Sequence, residues 1–274
     1  MERIYTQDTK EYIGKKVTVA GWIDVRRDHG KLTFIDLRDR TGVLQSVSSA
    51  KNEPAHKQVG ELHNEWVVAL TGTISERPEN MVNTELPLGT VEMSIEEVEV
   101  LGRAHELPFE KEEDVNLDTY LDHLPFTLRS KKSRAIFKVQ SEIIHAYRET
   151  LSADDFIEFQ SPKLVGDDAE GGGNVFKVEY FHDKDAYLAT SPQLYKQIMV
   201  GAYERVFTTG PAFRAEKHST TRHLNEYTSL DAEFGFIRDH HDVMGVLTKV
   251  IQGVTKHVKG ACTEEFKLLE ATIP

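Results

Sequence analysis

Residues 191–233 constrain this chain more than any other stretch, because they combine a strand-like apolar pattern with a dense group of charges. The second half of the stretch begins at Phe213 and reads FRAEKHSTTRHLNEYTSLDAE. Apolar residues on either side of a polar loop predict two strands joined as a hairpin, and alternate residues of a strand share one face. Charged residues are mostly surface residues, so a solvated hairpin stays open as the alternative. If the hairpin binds a polyanion, we expect these side chains to surround it: Arg214, Glu216, Arg222, His223 and Glu226.

The overall charge limits how the chain could bind nucleic acid. It has 33 Lys and Arg residues against 45 Asp and Glu residues, a formal net charge of −12. Such a balance argues against binding through bulk electrostatics, so any RNA contact must use local basic patches. The 274 residues can hold one large or two medium domains.

Cysteine content and hydropathy bear on location. Cys262 is the single cysteine, which excludes an internal disulfide framework and suits a reducing compartment. The amino terminus lacks the apolar core of a secretion signal, and no stretch approaches the roughly 18 apolar residues that span a bilayer. We therefore expect a cytoplasmic protein with no membrane partner.

The residue order in the 191–233 stretch resembles motif 2 of the class II aminoacyl-tRNA synthetases. The shared features are an arginine, a glutamate, a variable loop and an aromatic residue before an acidic strand. The segments SPQLYKQ and FRAEKHSTTRHLNEYTSLD together resemble the aspartyl-tRNA synthetases of subclass IIb. Asparaginyl relatives share much of the second segment but lack the lysine of the first, Lys196. The resemblance covers nearly the whole chain.

Strand patterns dominate residues 15–102, with a short helix expected between the third and fourth of five strands. That order is typical of an OB-fold, a small β-barrel. We therefore predict an all-β OB-fold domain over residues 1–103 and a hinge over residues 104–125. The resemblance implies an α+β class II catalytic domain, with an antiparallel sheet and helices, over residues 126–274.

Residues 21–45 of the first domain resemble the anticodon-binding region of these synthetases. Taken alone, Phe34 is more typical of a core residue, but the resemblance implies a stacking platform for an anticodon base. It further implies phosphate contacts from Arg26 and Arg27, and a base-edge hydrogen bond from Gln45. His29 occupies a loop position that is linked in the family to the acceptance of tRNA-Asn as well as tRNA-Asp.

Helical spacing over residues 133–151, followed by a short strand and Pro162, resembles motif 1. In the family this motif builds the dimer interface, so the resemblance implies a homodimer with Pro162 at its interface. Without the neighbouring motifs, the pattern is that of an ordinary helix packed on a sheet.

The amino-acid site is implied by the loop that contains Glu170 and by the segment after Ser191. In the family, a glutamate in this loop holds the substrate α-ammonium group and the loop closes over the substrate. A cation is needed to select aspartate over asparagine, and Lys196 supplies it. Lys196 on the exposed face of a helix starting near Pro192 is the alternative. The implied aspartate-binding set is Glu170, Gln193, Leu194, Tyr195, Lys196 and Arg214.

The expected chemistry is attack of the aspartate carboxylate on the α-phosphorus of ATP, followed by transfer of the aspartyl group to tRNA-Asp. The resemblance makes Arg214 the catalytic residue, bridging the α-phosphate and the carboxylate. Glu216 would orient the adenine end and Tyr227 would stack on it, where relatives commonly carry phenylalanine. The implied ATP-binding set is Arg214, Ala215, Glu216, Arg222, His223, Leu224 and Tyr227.

No segment resembles motif 3, the glycine-rich strand and helix that complete the family's ATP site. Mg²⁺ is expected with ATP, but the family's ligands for it lie further along than residue 274. We therefore expect the chain by itself to bind tRNA without forming aspartyl-adenylate at an appreciable rate. The alternative functions are an asparaginyl-tRNA synthetase and a noncatalytic tRNA-binding paralogue.

Overall fold

A computed structural model describes residues 2–84, 86–109, 113–167, 169, 174–218, 220 and 223–273. The chain divides into two compact units, Met1–Glu110 and Lys111–Pro274. Each unit is described by itself. Among the helices in the described ranges, none combines the length and apolar character required to cross a membrane.

The first unit is a β-barrel with one α-helix. Its strands are β1 (Arg3–Ile4), β2 (Lys16–Asp28), β3 (Leu32–Arg38), β4 (Val43–Ser49), β5 (Val67–Glu76) and β6 (Val91–Gly102). They hydrogen-bond in the order β1-β2-β3-β4-β6-β5, and an additional β2–β5 pairing closes the barrel. Helix α1 (Glu53–Gly60) lies between β4 and β5. The predicted OB-fold is confirmed, with the short parallel strand β1 added to the five expected strands.

Strict alternation along these strands fills the barrel with aliphatic side chains. In β3, Ile35 and Leu37 are fully buried, whereas Phe34, which points to the opposite side of the strand, is only half-buried. Glycine is required where strands approach closely: a Cβ at Gly72 would lie 2.0 Å from the carbonyl oxygen of Ser94. The register of β5 against β6 shifts at this glycine, as expected at a β-bulge.

A buried carboxylate fastens the amino-terminal segment to the turn after β3. Asp39 accepts hydrogen bonds from the Thr6 backbone N–H at 2.8 Å and from the Thr41 backbone N–H at 2.7 Å. The hydroxyls of both threonines also donate to it. Burial by itself raises the pKa of Asp39, but the hydrogen bonds from Thr41 and Thr6 outweigh it and leave the pKa lowered.

The second unit contains six helices in its described part. These are α2 (Leu117–Asp122), α3 (Leu124–Thr127), α4 (Lys131–Ser152), α5 (Gln193–Tyr203), α6 (His240–Ala261) and α7 (Thr263–Leu268). Helix α2 and the start of α3 fall within the stretch predicted to be a hinge. Ser130 caps α4 by accepting a hydrogen bond from the backbone N–H of Ser133, as serine commonly does at a helix start.

Two three-stranded sheets accompany these helices. The first joins β7 (Ile157–Glu158), β11 (Arg205–Phe213) and β12 (Glu226–Phe234). The second joins β8 (Leu164–Val165), β9 (Lys177–Glu179) and β10 (Asp185–Leu188). The predicted hairpin is confirmed as the antiparallel pair β11 and β12. The β7–β11 pair is parallel, so the predicted antiparallel sheet contains one parallel pairing.

Helices α4 and α6 cover one side of the β11–β12 hairpin. Tyr147, Leu151, Phe156 and Phe207 form the buried cluster there, and three valines of α6 pack against it. Ile136, an apolar residue in the first turns of α4, is 54% exposed. The helix itself is confirmed, although Ile136 and Phe137 near its start are exposed.

Candidate functional site

The register of β11 and β12 decides which side chains share the open face of the hairpin. Thr208 pairs with Asp231, Val206 with Glu233, and Gly210 with Ser229. Directly paired residues of an antiparallel ladder lie on the same face, so Ser229, Asp231 and Glu233 form one polar row. The apolar cluster described above includes Phe207, which lies on the opposite face.

Helix α5 carries Lys196 onto this polar row. The Lys196 Nζ atom lies 3.1 Å from Oδ1 of Asp231 and 3.4 Å from Oε2 of Glu233. Ser229 donates a short hydrogen bond to the other oxygen of Asp231. Lys196 is only 6% exposed. A helix does begin after Pro192, but placing Lys196 on its exposed face is wrong, because the ammonium group is held against two carboxylates.

A cavity of about 200 Å³ lies beside the first turns of α5. Leu194 and Tyr195 line it, together with Ser191 and residues of the 165–169 segment. Gln193 and Lys196 are not among its described lining residues. The backbone N–H of Gln193 donates to the Ser191 hydroxyl at 3.2 Å. Of the aspartate-binding residues predicted on α5, Leu194 and Tyr195 therefore line this cavity, Lys196 lies on the polar row, and Gln193 is placed at neither.

Arg214 lies where the first hairpin strand ends. Its backbone N–H donates to the carbonyl of Asn225 at 2.9 Å, and its guanidinium carbon lies 5.9 Å from the centroid of the Tyr227 ring. With its amide group turned to satisfy both acceptors, Asn225 donates in return to the carbonyls of Arg214 and Glu216. These bonds hold Arg214 and Tyr227 at the same end of the hairpin.

Ala215, Glu216, His223 and Leu224 of the predicted ATP set lie in the described part of the segment beyond Arg214. Ala215 donates its backbone N–H to the carbonyl of Asn174 at 2.8 Å. The Nε2 atom of His223 lies 3.9 Å from a carboxylate oxygen of Glu216, and Leu224 is 57% exposed. Arg222, a further member of the predicted ATP-binding set, lies outside the described residues. So does Glu170, predicted to bind the substrate ammonium group.

Pro162, predicted at a dimer interface, is exposed and lies between β7 and β8 rather than within a strand. One residue further along, the Nζ atom of Lys163 donates to the Ser161 hydroxyl at 2.9 Å. Burial lowers the pKa of Lys163, and the attraction of Asp231 partly offsets this effect. Sequence reasoning missed both Lys163 and the polar row, although the two-residue spacing of Asp231 and Glu233 signals a shared strand face.

The first unit brings four of its five predicted anticodon residues to one surface. Arg27 pairs with Phe34 across β2 and β3, and the His29 ring packs edge-on against Phe34 with centroids 5.5 Å apart. Gln45 pairs with Asp36 across β3 and β4. A partly exposed aromatic ring flanked by an arginine, a histidine and an amide suits the stacking and edge recognition of unpaired bases.

Two of these side chains already have partners on the protein. Arg27 forms a bidentate ion pair with Asp36, with N···O distances of 2.7 and 2.8 Å. Gln45 donates its amide to Glu92 at 3.3 Å. A nucleic acid that bound Arg27 or Gln45 would have to displace Asp36 or Glu92 from it. Because these carboxylates repel a phosphate, the surface favours a bound base over a bound phosphate.

Arg26 does not join that surface. It pairs with the inward-facing Ile35 rather than with Phe34, and its guanidinium donates to the carbonyl of Gly60 at the end of α1 at 3.0 Å. Successive residues of a strand point to opposite faces, so Arg26 and Arg27 cannot both lie beside Phe34. The structure therefore does not gather all of the predicted anticodon residues.

Comparison with known families assigns each unit to a group. Residues 116–273 match the family described as tRNA synthetases class II (D, K and N). Residues 17–101 match the OB-fold nucleic acid binding domain.

Individual relatives align along nearly the whole chain. The Aspartate--tRNA(Asp/Asn) ligase of Deinococcus radiodurans is 41% identical, over 100% of this chain and 60% of that protein. The ligase of the same name from Archaeoglobus fulgidus is 42% identical, over 99% of this chain and 63% of that protein. The crystal structure of asparaginyl-tRNA synthetase from Pyrococcus horikoshii with asparaginyl-adenylate superposes with a TM-score of 0.88 at 33% identity, over 98% of this chain and 61% of that one. The chain thus spans about 60% of the length of these relatives.

Proposed function

The chain belongs to the class II tRNA synthetases of the D, K and N group, and from that premise we propose that it is part of an aspartate–tRNA ligase. The proposed reaction uses ATP to activate L-aspartate and then transfers the aspartyl group to the 3′ end of tRNA-Asp. The relatives from D. radiodurans and A. fulgidus carry names that include both tRNA-Asp and tRNA-Asn, so tRNA-Asn is proposed as a second acceptor.

The observation that carries the choice of aspartate is the buried ammonium group of Lys196. A cation in a partly desolvated site attracts a substrate carboxylate, whereas the amide of asparagine would leave the charge uncompensated. Lys196 is already held in place by Asp231 at 3.1 Å, so the charge is positioned before the substrate arrives. Such positioning reduces the entropy that binding must overcome.

Arg214 and Tyr227 support the nucleotide side of the proposal. An arginine at the end of a strand can bridge an α-phosphate and the attacking carboxylate, which brings the two reacting groups together and neutralises their charge. The Tyr227 ring, 5.9 Å from the Arg214 guanidinium, would stack on adenine from the same end of the hairpin. Arg222 and His223 would contact the outer phosphates, and Glu170 would hold the α-ammonium group of aspartate.

Magnesium accompanies ATP in this proposal and would neutralise phosphate charge. Asp231 and Glu233 are engaged by Lys196 and Glu216 lies against His223, so these three carboxylates do not fit a magnesium site. The chain's own contribution is to bind the two substrates and to orient the aspartate carboxylate toward the α-phosphorus.

The OB-fold surface around Phe34 is proposed to bind the anticodon loop. Phe34 would stack on an unpaired base while Gln45 reads a base edge. A homodimer is proposed from the motif 1 resemblance, with Pro162 and the exposed side chains of Ile136 and Phe137 near its interface. Because the substrates are tRNA and ATP, we place the protein in the cytoplasm.

An asparagine-specific enzyme is the competing proposal. The superposition on the asparaginyl-tRNA synthetase of P. horikoshii is the observation that supports it. Calorimetric titration with L-aspartate and with L-asparagine separates the two without requiring catalysis. We expect L-aspartate to bind at least about tenfold more tightly, as befits a site built around a charged partner. Preference for L-asparagine would overturn the assignment, and filter binding of labelled tRNA-Asp and tRNA-Asn tests the acceptor on the same preparation.

A further inference from the structure

A second lysine approaches the polar row from the other edge of β11. A Cβ added to Gly210 would lie 3.2 Å from Cε and 3.4 Å from Nζ of Lys163. The end of the Lys163 side chain therefore occupies the space that a side chain at Gly210 would fill. Gly210 pairs with Ser229, and paired residues share a face. The Lys163 ammonium group thus lies on the face that carries Ser229 and Asp231.

An electrostatic attraction to Asp231 connects Lys163 to the Lys196 site. Lys163 donates to the Ser161 hydroxyl at 2.9 Å and is attracted electrostatically by Asp231. Asp231 in turn accepts hydrogen bonds from Ser229 and from Lys196. One carboxylate therefore interacts with two ammonium groups, one supplied by the 161–163 segment and the other by α5.

The two lysines and two carboxylates of this cluster carry no net charge before any ligand binds. Lys163 and Lys196 contribute two positive charges, and Asp231 and Glu233 contribute two negative charges. A bound carboxylate adds one negative charge to this group. Without Lys163 the same bound state would carry two uncompensated negative charges in a partly buried site, where solvent screening is weak.

We propose that Lys163 is a positioning residue for the substrate carboxylate, because it attracts Asp231 and so leaves the Lys196 ammonium group available to the ligand. This inference deepens the proposed function and rests on it for the identity of the ligand. Asp231 acts as the shared partner: it holds Lys196 in place in the empty site and shifts its interaction toward Lys163 when the carboxylate of aspartate binds. Lys163 thereby contributes to the preference for aspartate over asparagine without touching either.

Replacement of Lys163 by methionine tests the proposal, since methionine keeps most of the chain length and removes the charge. For Lys163→Met we expect the dissociation constant of L-aspartate, measured by calorimetry, to rise about tenfold, as loss of one close charge partner in a partly buried site predicts. Binding of L-asparagine, if detectable, should change by less than about twofold, because no charge is added. Lys177→Met is the matched control, because Lys177 pairs with Asp185 on the other sheet of the same unit.

A second substitution separates this role from a structural one. Asp231→Asn in the Lys163→Met background removes the carboxylate that would otherwise hold Lys196 and restores the charge balance. We expect the double variant to recover most of the lost aspartate affinity. If Lys163 served only to fill the space over Gly210, the double variant would bind aspartate no better than Lys163→Met, and the proposal would be overturned.

A ligand-independent measurement keeps the inference separate from the identity of the substrate. Acetic anhydride modifies free amines, so the rate at which it labels Lys196, followed by peptide mass spectrometry, reports how firmly Asp231 holds that amine. The rate should fall several-fold in Lys163→Met and return in the double variant, with Lys163→Gln used in the same way if the methionine variant fails to fold. A wild-type protein that binds no aspartate would contradict the proposed function, whereas an unchanged labelling rate at Lys196 would contradict the role of Lys163.

Discussion

The Nζ atom of Lys196 lies 3.1 Å from Oδ1 of Asp231, and the two residues come from different elements, helix α5 and strand β12. This contact holds a buried positive charge at the open face of the hairpin. Breaking a buried ion pair by removing one partner leaves the other charge uncompensated, which commonly costs about 3–5 kcal/mol. The contact therefore contributes both to the stability of the second unit and to its proposed ligand preference.

The first prediction concerns Lys196→Met. We expect binding of L-aspartate to fall below detection, because the substrate carboxylate loses its partner and faces Asp231 and Glu233 directly. ATP affinity should change little, since Arg214 and Tyr227 lie at the other end of the hairpin. Calorimetry with each ligand measures both effects, and Lys177→Met again serves as the control. Unchanged aspartate affinity would show that Lys196 does not bind the substrate, and it would favour the asparagine-specific alternative.

Much of the second unit follows from local patterns that the sequence displays. The hairpin was predictable because apolar residues flank a polar loop, and helix α4 because its apolar residues recur at helical spacing. The contact of Lys163 with Gly210 was not predictable from such patterns. Lys163 and Gly210 are distant in sequence, and Gly210 contributes only by leaving the space that the Lys163 side chain occupies.

The position of Arg26, away from Phe34, has a different physical reason. Adjacent residues of a strand point to opposite faces, so the sequence alone indicates that only one of Arg26 and Arg27 can lie beside Phe34. Which one does so depends on the irregularity of β2 between Ile23 and Val25, where the register against β3 shifts. A one-residue shift moves every later side chain to the other face, and nothing in the local residues signals where such a shift occurs.

The second prediction compares two neighbouring residues of β3. Phe34→Ala should weaken tRNA binding by about 1–3 kcal/mol through loss of the stacking platform, with little effect on stability because Phe34 is half-buried. Ile35→Ala should instead lower stability by about 2–5 kcal/mol, because Ile35 is fully buried in the barrel and a cavity would remain. Filter binding of tRNA and urea unfolding measure the two effects. A large stability loss in Phe34→Ala, with tRNA affinity unchanged once folded, would contradict the anticodon assignment.

The third prediction uses two glycines of helix α6 that differ in their surroundings. A Cβ at Gly253 would lie 2.4 Å from the Thr150 hydroxyl oxygen of α4, whereas a Cβ at Gly245 meets nothing within 4 Å. Gly253→Ala should therefore destabilise the packing of α4 against α6 by about 1–3 kcal/mol. Gly245→Ala should stabilise the helix by up to about 1 kcal/mol, since alanine is the better helix former.

Thermal unfolding followed by circular dichroism at the helical band checks both substitutions, because the long helices belong to the second unit. Adding Thr150→Ala to Gly253→Ala removes the clashing hydroxyl and should recover most of the lost stability. If the double variant is no more stable than Gly253→Ala, close contact with Thr150 is not the cause.

The last prediction concerns acid unfolding of the first unit and the buried carboxylate of Asp39. Hydrogen bonds from Thr41 and Thr6 outweigh the opposing effect of burial and lower the pKa of Asp39 below its ordinary value. A group with a lowered folded-state pKa binds its proton less readily in the folded state than in the unfolded state. Its stabilising contribution is therefore complete above the unfolded pKa of about 4 and is lost as pH falls through the lower folded pKa.

Tryptophan fluorescence reports this unit selectively, because both tryptophans of the chain, Trp22 and Trp66, belong to it. Urea unfolding of the wild type should show stability falling as pH decreases below about 4. Asp39→Asn should lower stability near neutral pH by about 1–3 kcal/mol, because its amide N–H groups face the donors of Thr6 and Thr41, and it should flatten the decline at acid pH. Glu76→Gln, which removes an exposed carboxylate from the same unit, is the matched control. An acid decline that is equally steep in Asp39→Asn and in the control would show that other carboxylates govern the acid stability of the barrel.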